Sequence, residues 1–138
     1  MLNYQQMFEK SDVVVIATPK SKTTDTKEQT FLPNIWLQDK DGKQSKIKSI
    51  GVETVFALST VLKGDATIKQ FTLHHYREAQ INAELDGPYL VSFDPSDMTK
   101  RSSYLLFLVR EPDGRFAPIG GQTDPGGKAI SRLPFEPN

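Results

Sequence analysis

The chain has 138 residues, no cysteine, and 17 basic against 17 acidic side chains, so its formal net charge is zero. This length is enough for one domain with its own core, and the lack of cysteine excludes disulfides, thiol catalysis and cysteine-ligated zinc. The balanced charge provides no overall field that would attract nucleic acid, which argues against nucleic acid as a partner. No apolar stretch approaches the roughly 18 residues that a membrane-spanning helix needs.

The first elements in the chain are a short helix and a buried strand. Tyr4, Met7 and Phe8 have helical spacing, which predicts one or two amphipathic turns. We expect this helix to plug one end of a barrel, with its aromatic side chains in the core. Residues 13–17 are almost purely β-branched, which predicts a buried strand that Pro19 ends.

Residues 20–46 form a long polar excursion around one apolar island, residues 31–37. The Asp-Lys-Asp-Gly sequence at 39–42 predicts a turn, so we expect a small hairpin that is partly mobile. Phe31 and Trp36, the only tryptophan, belong to the island. Two interpretations of Trp36 stand: it covers the core as a lid, or it is an exposed recognition residue.

Residues 47–63 and 67–77 predict a long strand and its returning partner. The even positions from Val52 to Leu62 carry the heavier apolar side chains and are expected to point inward. Gly51 predicts a bulge or a sharp bend. In the returning strand, Phe71 and Leu73 share one face, and His74 lies on the other.

The C-terminal half contains the predicted centre of the sheet. Residues 104–109 are six consecutive apolar residues, which indicates a strand buried on both faces. A Pro-Asp-Gly turn at 112–114 returns the chain along residues 115–119 as an antiparallel partner. Residues 89–93 and 129–133 predict two further short strands, separated by a turn-rich loop at 120–127. Residues 134–138 are expected to form a frayed tail.

These elements predict a single domain over residues 1–138. No strand alternates with a helix in the manner of a parallel sheet. The fold class is therefore mainly β, with a small closed barrel of five or six antiparallel strands and a short N-terminal helix.

No arrangement of residues indicates a catalytic or metal site. His74 and His75 are neighbours on a strand and point to opposite faces, so they are poorly placed to bind one ion. We expect His75 near the edge of the core and His74 facing solvent. Asp94 and Asp97 could be paired carboxylates, but their Asp-Pro-Ser-Asp setting favours a turn. The sequence thus predicts no catalytic residue, no metal ligand and no cofactor, and the chain is interpreted as not an enzyme.

Three stretches, taken in order, resemble the netrin-like module, the OB-fold domain shared by tissue inhibitors of metalloproteinases. The stretches are Ser-Asp-Val-Val-Val-Ile-Ala at 11–17, Val-Leu-Lys-Gly-Asp at 61–65, and the strand and hairpin at 104–119. The last stretch, followed by Gly-Gln-Thr-Asp-Pro at 121–125, is also similar to many small bacterial proteins. The resemblance implies an OB-like barrel that is secreted or attached to the envelope and that binds protein rather than catalysing a reaction.

The chain departs from the inhibitors of that family at the N-terminus. Their inhibitory group is an N-terminal cysteine that chelates the protease zinc, whereas this chain has Met1 and no cysteine. The resemblance therefore extends to the fold and not to the inhibitory residues. Residues 1–4 lack the features of a signal peptide. An export signal or a lipid-anchored cysteine would have to precede Leu2 for an extracytoplasmic location; otherwise the domain is expected in the cytoplasm.

These observations favour a non-catalytic protein-interaction domain, expected to be extracytoplasmic. Its predicted binding residues are Phe31 and Trp36 in the excursion and Gln122 and Asp124 in the 120–127 loop. One alternative is an OB-type oligonucleotide or saccharide binder that uses the strands spanning 52–77. A second alternative is a metalloprotease inhibitor that lacks the usual N-terminal cysteine.

Overall fold

A computed structural model describes residues 3–38, 41–42, 44–78, 85–86, 93, 100, 102–119 and 129–133. Over these residues the chain forms one helix and eight strands. They are α1 (Tyr4–Lys10), β1 (Val13–Pro19), β2 (Thr24–Gln38), β3 (Gln44–Lys63), β4 (Gln70–Glu78), β5 (Leu85–Asp86), β6 (Tyr104–Arg110), β7 (Phe116–Pro118) and β8 (Ile130–Arg132). The protein is therefore mainly β, as the sequence predicts.

Five strands close into a small OB-like barrel. Each neighbour is hydrogen-bonded to the next in the order β1-β6-β7-β4-β3, and β3 pairs with β1 to complete the ring. The pairs are antiparallel except β4 and β7, which run parallel where Leu73 lies opposite Phe116. The sequence predicted antiparallel pairing throughout and did not anticipate this contact. β8 adds to β6, and β2 with β5 extends the sheet beyond β3.

The barrel interior is filled by alternate residues of these strands. β-Branched and aromatic side chains suit such positions because they pack on a pleated, half-buried surface. Phe56 is fully buried, and its ring lies 5.3 Å from Phe71, 5.0 Å from Phe93 and 6.4 Å from Tyr104. The predicted central strand β6 supplies Leu106 and Leu108, both fully buried. Its central position is confirmed by pairings with β1, β7 and β8.

The helix does not plug the barrel. Met7 is the buried residue of α1, and it packs with Val14, Phe107 and Ala129 in a cluster separate from the interior core. Val14 and Phe107 are paired on the outer face of β1 and β6, so α1 covers the barrel from outside. Two residues predicted for the core, Tyr4 and Phe8, are exposed. The helical spacing identified the right stripe, but three apolar residues on one turn are too few to fix which of them is covered.

The alternation predicted from Val52 to Leu62 holds for the first half of that stretch and then changes. Val52, Thr54 and Phe56 point inward as predicted. The register with β1 shifts between Ile16 and Ala17 and again between Val14 and Val15, which interrupts strict alternation. As a result Val61 packs against the core, while Leu62, predicted to be inside, is exposed.

The irregularity predicted at Gly51 lies instead on the strand opposite. The β3–β4 ladder runs without a shift from Ser49 to Ala57, straight through Gly51. On β2, however, Asp25 pairs with Val52 and Gln29 pairs with Ile50, so two extra residues are inserted between them. Residues 26–28 therefore form a bulge over Gly51.

The excursion forms the predicted hairpin, but its second strand is continuous with the barrel. β2 pairs with β3 from Thr24↔Glu53 out to Gln38↔Gln44. The β4 ladder ends at Ser49, so residues 30–38 of β2 and 44–48 of β3 extend past it as an arm. β5 pairs with the outer edge of the arm at Trp36 and Leu37.

Several predicted segments lie outside the described residues. They are the 120–127 loop, the tail at 134–138, Asp94 and Asp97, and the predicted strand at 89–93 apart from Phe93. No helix among the described residues is long and apolar enough to cross a membrane.

Candidate functional site

A group of charged side chains covers the outer face of β3 and β4. Residues on these strands that alternate with the core residues point outward. They meet side chains from two connections: the β2 bulge and the turn between β6 and β7. The outer-face cluster comprises Glu28, Glu53, His74, Tyr76, Glu111 and Arg115.

The cluster lies where OB-folds bind their ligands. Counted along the chain, β3 and β4 are the second and third of the five barrel strands. The chain between β1 and β3 is the first long connection, and the β6–β7 turn joins the fourth and fifth strands. The face of strands two and three, with these two connections, is the ligand face of OB-folds.

His74 is the centre of the cluster. Its Nε2 lies 2.6 Å from Oε1 of Glu28, and its Nδ1 lies 2.8 Å from Oε1 of Glu111. The prediction that His74 faces solvent is wrong, because its side chain is only 4% exposed. Glu28 and Glu111 cover it from two sides. His75, as predicted, points the other way and is buried in the barrel, where its Nε2 lies 2.8 Å from the Thr54 hydroxyl.

The bulge in β2 places Glu28 over the barrel. Thr26 donates from Oγ1 to the Gly51 carbonyl at 2.7 Å, and its hydroxyl accepts from the Glu28 amide at 3.1 Å. Gly51 has no side chain, and the Glu28 side chain lies in the space that a Cβ there would occupy. Tyr76 donates from its hydroxyl to Oε2 of Glu28 at 2.8 Å. Both oxygens of the Glu28 carboxylate are thus bound to β4.

The β6–β7 turn places the other half of the cluster. Gly114 has φ of 92°, a conformation that glycine adopts without steric cost, and it allows the tight return. The Arg115 guanidinium donates to Asp113 at 2.8 Å and to Glu53 on β3 at 3.1 Å. These bonds fix the turn against the barrel, and Glu111 at its start reaches His74.

The ionisation of the cluster follows from its contacts. Partial burial would raise the pKa of Glu28, but hydrogen bonds from Tyr76 and His74 outweigh it and hold that pKa below its usual value. Burial, together with the hydrogen bond to Glu28, raises the pKa of Tyr76. Hydrogen bonds from the amide and side chain of Arg115 lower the pKa of Asp113. Glu28 is therefore an ionised carboxylate and Tyr76 a neutral donor at neutral pH.

The charged groups of the cluster are paired mainly with one another. The imidazole of His74 has a carboxylate at each nitrogen, and the Arg115 guanidinium has carboxylates at two of its nitrogens. Within the described ranges, no group of three or more His, Asp and Glu side chains is arranged to hold a metal ion. The arrangement is suited to fixing the β2 bulge and the β6–β7 turn on the barrel wall.

Of the four predicted binding residues, one has a described side chain. Phe31 is 60% exposed and lies on β2, three residues after Glu28. Trp36 is in β2 and pairs with Lys46 and Asp86, with its side chain outside the described part. Gln122 and Asp124 lie outside the described residues. The structure brings Phe31 and Trp36 onto one strand of the arm.

Sequence reasoning missed the outer-face cluster. The one available signal was His74 and Tyr76 two residues apart on the polar face of a predicted strand. Glu28 and Glu111 carried no signal, since they lie 46 and 37 residues away from His74.

Comparison with known proteins identifies no relative: no protein-family model, no curated protein and no solved structure matches this chain.

Proposed function

We propose that this chain is a non-catalytic protein-interaction domain that binds its partner through the arm. The observation that carries the proposal is Phe31, a large aromatic side chain that is 60% exposed at the base of a hairpin extending past the β4 ladder. Single exposed apolar residues are common and need no explanation. Phe31 differs because it stands on an extended strand, next to an exposed lysine.

The neighbour of Phe31 gives the chemistry of the expected partner. Lys48 on β3 lies directly opposite Phe31 in the β2–β3 ladder and is exposed. An aromatic anchor beside a cation fits a protein surface that offers an apolar pocket with a carboxylate at its rim. Buried aromatic anchors commonly carry about 2 kcal/mol or more of binding free energy at protein interfaces.

The proposal is tested by capturing partners on the immobilised domain and comparing Phe31→Ala with wild type. Leu62→Ala is the matched control, since Leu62 is also large, apolar and exposed but lies near the opposite end of β3. We expect Phe31→Ala to lose the partner that wild type and Leu62→Ala both retain. Retention of the same partner by Phe31→Ala would remove Phe31 as the anchor.

A second candidate function is OB-type ligand binding on the face of β3 and β4. It is favoured by the position of the outer-face cluster, which coincides with the ligand face of OB-folds. Four carboxylates at this face (Glu28, Glu53, Glu111 and Asp113) oppose a phosphate backbone, so a neutral saccharide is the better ligand class. Titration with a neutral oligosaccharide and with a single-stranded oligonucleotide at low salt, followed by amide shifts of β4, separates the two. Unchanged shifts with both would exclude this function.

The proposed compartment is extracytoplasmic, on the strength of the resemblance to netrin-like modules. Mass spectrometry of the mature N-terminus in the source organism tests it. A cleaved signal or a lipidated cysteine supports the proposal, and a native start at Met1 opposes it.

A further inference from the structure

The β2 bulge is the point at which the arm meets the barrel. The β2–β3 ladder is interrupted between Asp25 and Gln29, so ladder pairing does not hold the residues between them. Side-chain contacts take its place: the Thr26 hydroxyl on the Gly51 carbonyl, and the Glu28 carboxylate on His74 and Tyr76. Phe31 follows Glu28 by three residues on the same strand. A change in the hydrogen bonds that hold Glu28 therefore acts at the base of the arm.

The charge state of His74 decides how strongly its imidazole binds the Glu28 carboxylate. A neutral imidazole has one N–H donor and one lone pair, whereas an imidazolium has two donors. Both nitrogens of His74 face carboxylate oxygens, at 2.6 Å and 2.8 Å, and an ionised carboxylate can only accept. An imidazolium satisfies both carboxylates. A neutral ring would turn its lone pair toward one of them, which is repulsive at this distance.

On balance, the other groups around His74 also favour its charged form. Glu53 on β3 is its ladder partner, Asp113 and Arg115 face it from the β6–β7 turn, and Tyr76 lies beside it on β4 with the ring centroids 4.9 Å apart. The carboxylates Glu28, Glu53, Glu111 and Asp113 outnumber the single guanidinium of Arg115. Loss of the imidazolium proton leaves this excess of negative charge less compensated, and the repulsion falls on the Glu28 and Glu111 carboxylates that flank the ring.

We propose that Glu28, His74 and Glu111 form a proton-dependent clamp that fixes the base of the arm when His74 is charged and releases the bulge when it is neutral. Of the two carboxylates, Glu28 is the one that moves. Its side chain is 39% exposed against 26% for Glu111, and its backbone lies in the interrupted ladder. Glu111 is held more firmly, because its amide and carbonyl both bond within the β6–β7 turn.

The clamp regulates the interaction assigned to the arm, and in that respect it rests on the proposed function. Phe31 itself is paired with Lys48, so the bulge acts on the base of the arm and not on Phe31 directly. With the bulge fixed, both strands at that base are held to the barrel, and partner binding does not incur the cost of ordering it. With the bulge released, that ordering cost weakens binding. Partner affinity is then expected to fall on the order of tenfold as His74 loses its proton.

The test measures the clamp without any partner. Nuclear magnetic resonance records the protonation of the His74 ring nitrogens and the hydrogen exchange of amides 26–28, corrected for intrinsic exchange, from about pH 5 to about pH 8. We expect both nitrogens to carry protons while the bulge is protected. Exchange of the bulge amides should then rise on the order of tenfold along the same titration curve. Protection that does not follow the charge of His74 overturns the proposal.

Glu28→Gln is the decisive variant, because its amide can donate to a lone pair or accept from an N–H. The bulge should stay seated whether His74 is charged or neutral, so the pH step should disappear. Glu9→Gln makes the same chemical change on the exposed face of α1 and should leave the step intact. A step that survives in Glu28→Gln would rule the clamp out.

Tyr76→Phe separates the clamp from general loosening of the bulge. It removes the hydrogen bond to Oε2 of Glu28 and leaves the imidazole contact. Exchange should be faster at every pH while the step persists, and loss of the step would count against the clamp. Hydrogen exchange is measured without a partner, so it tests the clamp independently of the proposed function. If the pH step is present but Phe31→Ala captures the partner as well as wild type does, the clamp is upheld and the proposed function is refuted. If capture requires Phe31 but the pH step is absent, the proposed function is upheld and the clamp is refuted.

Discussion

Gly51 and Glu28 share one space on the outer wall of the barrel. A Cβ built on Gly51 would overlap Oε1 of Glu28 and would lie 3.0 Å from the Glu28 Cβ and 3.0 Å from the Thr26 hydroxyl. The missing side chain of Gly51 is thus what allows the Glu28 carboxylate to reach His74 and Tyr76. A residue that sequence analysis interpreted as the site of a bulge is instead the surface on which the opposite bulge rests.

Gly51→Ala is therefore predicted to displace Glu28. Gly51 pairs with Tyr76 in the regular β3–β4 ladder, where alanine is accepted by the backbone and is even favoured over glycine. Any loss of stability must come from the overlap. We expect the free energy of unfolding to fall by about 1–2 kcal/mol, as is usual for an overpacked site. Amides 26–28 should also exchange faster at all pH values.

Gly114→Ala provides the contrast to Gly51→Ala. A Cβ at Gly114 would meet no atom within 4 Å, but its φ of 92° is unfavourable for alanine. It should cost about 1 kcal/mol through backbone strain and leave the bulge amides unchanged. Denaturant unfolding of both variants and amide exchange distinguish the two causes. Equal exchange in Gly51→Ala and wild type would show that Glu28 does not depend on the space at Gly51.

Glu28 is predicted to make stability depend on pH in the acid range. Partial burial opposes ionisation of this carboxyl, but the hydrogen bonds from Tyr76 and His74 prevail, so its folded-state pKa lies below the usual 4.5. A group with a lowered folded-state pKa binds fewer protons when folded than when unfolded, so stability rises with pH through that range. The part of the stability that depends on the ionisation of Glu28 should be present above about pH 4.5 and lost as the pH falls below it.

The measurement is the thermal unfolding midpoint as a function of pH, for wild type and Glu28→Gln. We expect the difference between the two midpoints to shrink as the solution is acidified below about pH 4.5. Glu9→Gln should follow wild type, since Glu9 is exposed on α1. Parallel curves for wild type and Glu28→Gln down to the lowest pH would contradict the prediction.

The barrel strands were predictable because their signals are local. The β-branched run of β1 and the apolar run of β6 each specify burial within a few residues, and the Pro-Asp-Gly turn fixes the β6–β7 hairpin. The inward set Val52, Thr54 and Phe56 follows from alternation alone. Leu62 did not follow, because the register shifts against β1 depend on a strand more than 40 residues away, as in the pairing of Val14 with Lys63.

The candidate site could not be predicted, because it too depends on segments that are distant in the sequence. A histidine on the polar face of a strand is exposed unless other segments cover it. Tyr76, two residues along the strand, lies beside the His74 ring, but the carboxylates that bond the ring come from distant segments. Its cover comes from Glu28 and Glu111 through the β2 bulge and the β6–β7 turn. The exposure of Phe31 did not follow from the sequence either, because Phe31 begins an apolar island whose burial depends on what other segments cover it.

A chain of hydrogen bonds runs from His75 inside the barrel through Thr54 to Thr23 at the surface. The Thr54 hydroxyl lies 2.8 Å from Nε2 of His75 and 2.6 Å from the Thr23 hydroxyl, with Thr54 and His75 both almost fully buried. Thr54→Val keeps the shape but removes the group that joins the other two. Loss of a hydrogen bond at a buried polar group costs about 1–3 kcal/mol, and we expect a loss in that range. Thr54→Ser keeps the hydroxyl and should cost less; denaturant unfolding compares the variants. A valine variant as stable as the serine one would show that the chain contributes little.

The aromatic core should contribute far more to stability than the exposed ring of Phe31. Phe56 is fully buried, stacks on Phe71 with an interplanar angle of 4°, and meets the edges of Phe93 and Tyr104. Phe56→Ala removes a ring from the centre of the barrel and leaves a cavity, so the free energy of unfolding should fall by about 3–5 kcal/mol. Phe31→Ala makes the same chemical change on an exposed side chain and should stay within about 0.5 kcal/mol of wild type.

Urea unfolding of both variants measures this difference directly. The proposed function depends on the expected small effect of Phe31→Ala, because this variant can report on binding only if it leaves stability unchanged. A large loss of stability in Phe31→Ala would mean that the ring is packed against the protein in solution. It would then serve the fold rather than a partner, and the anchor would have to be sought elsewhere on the arm.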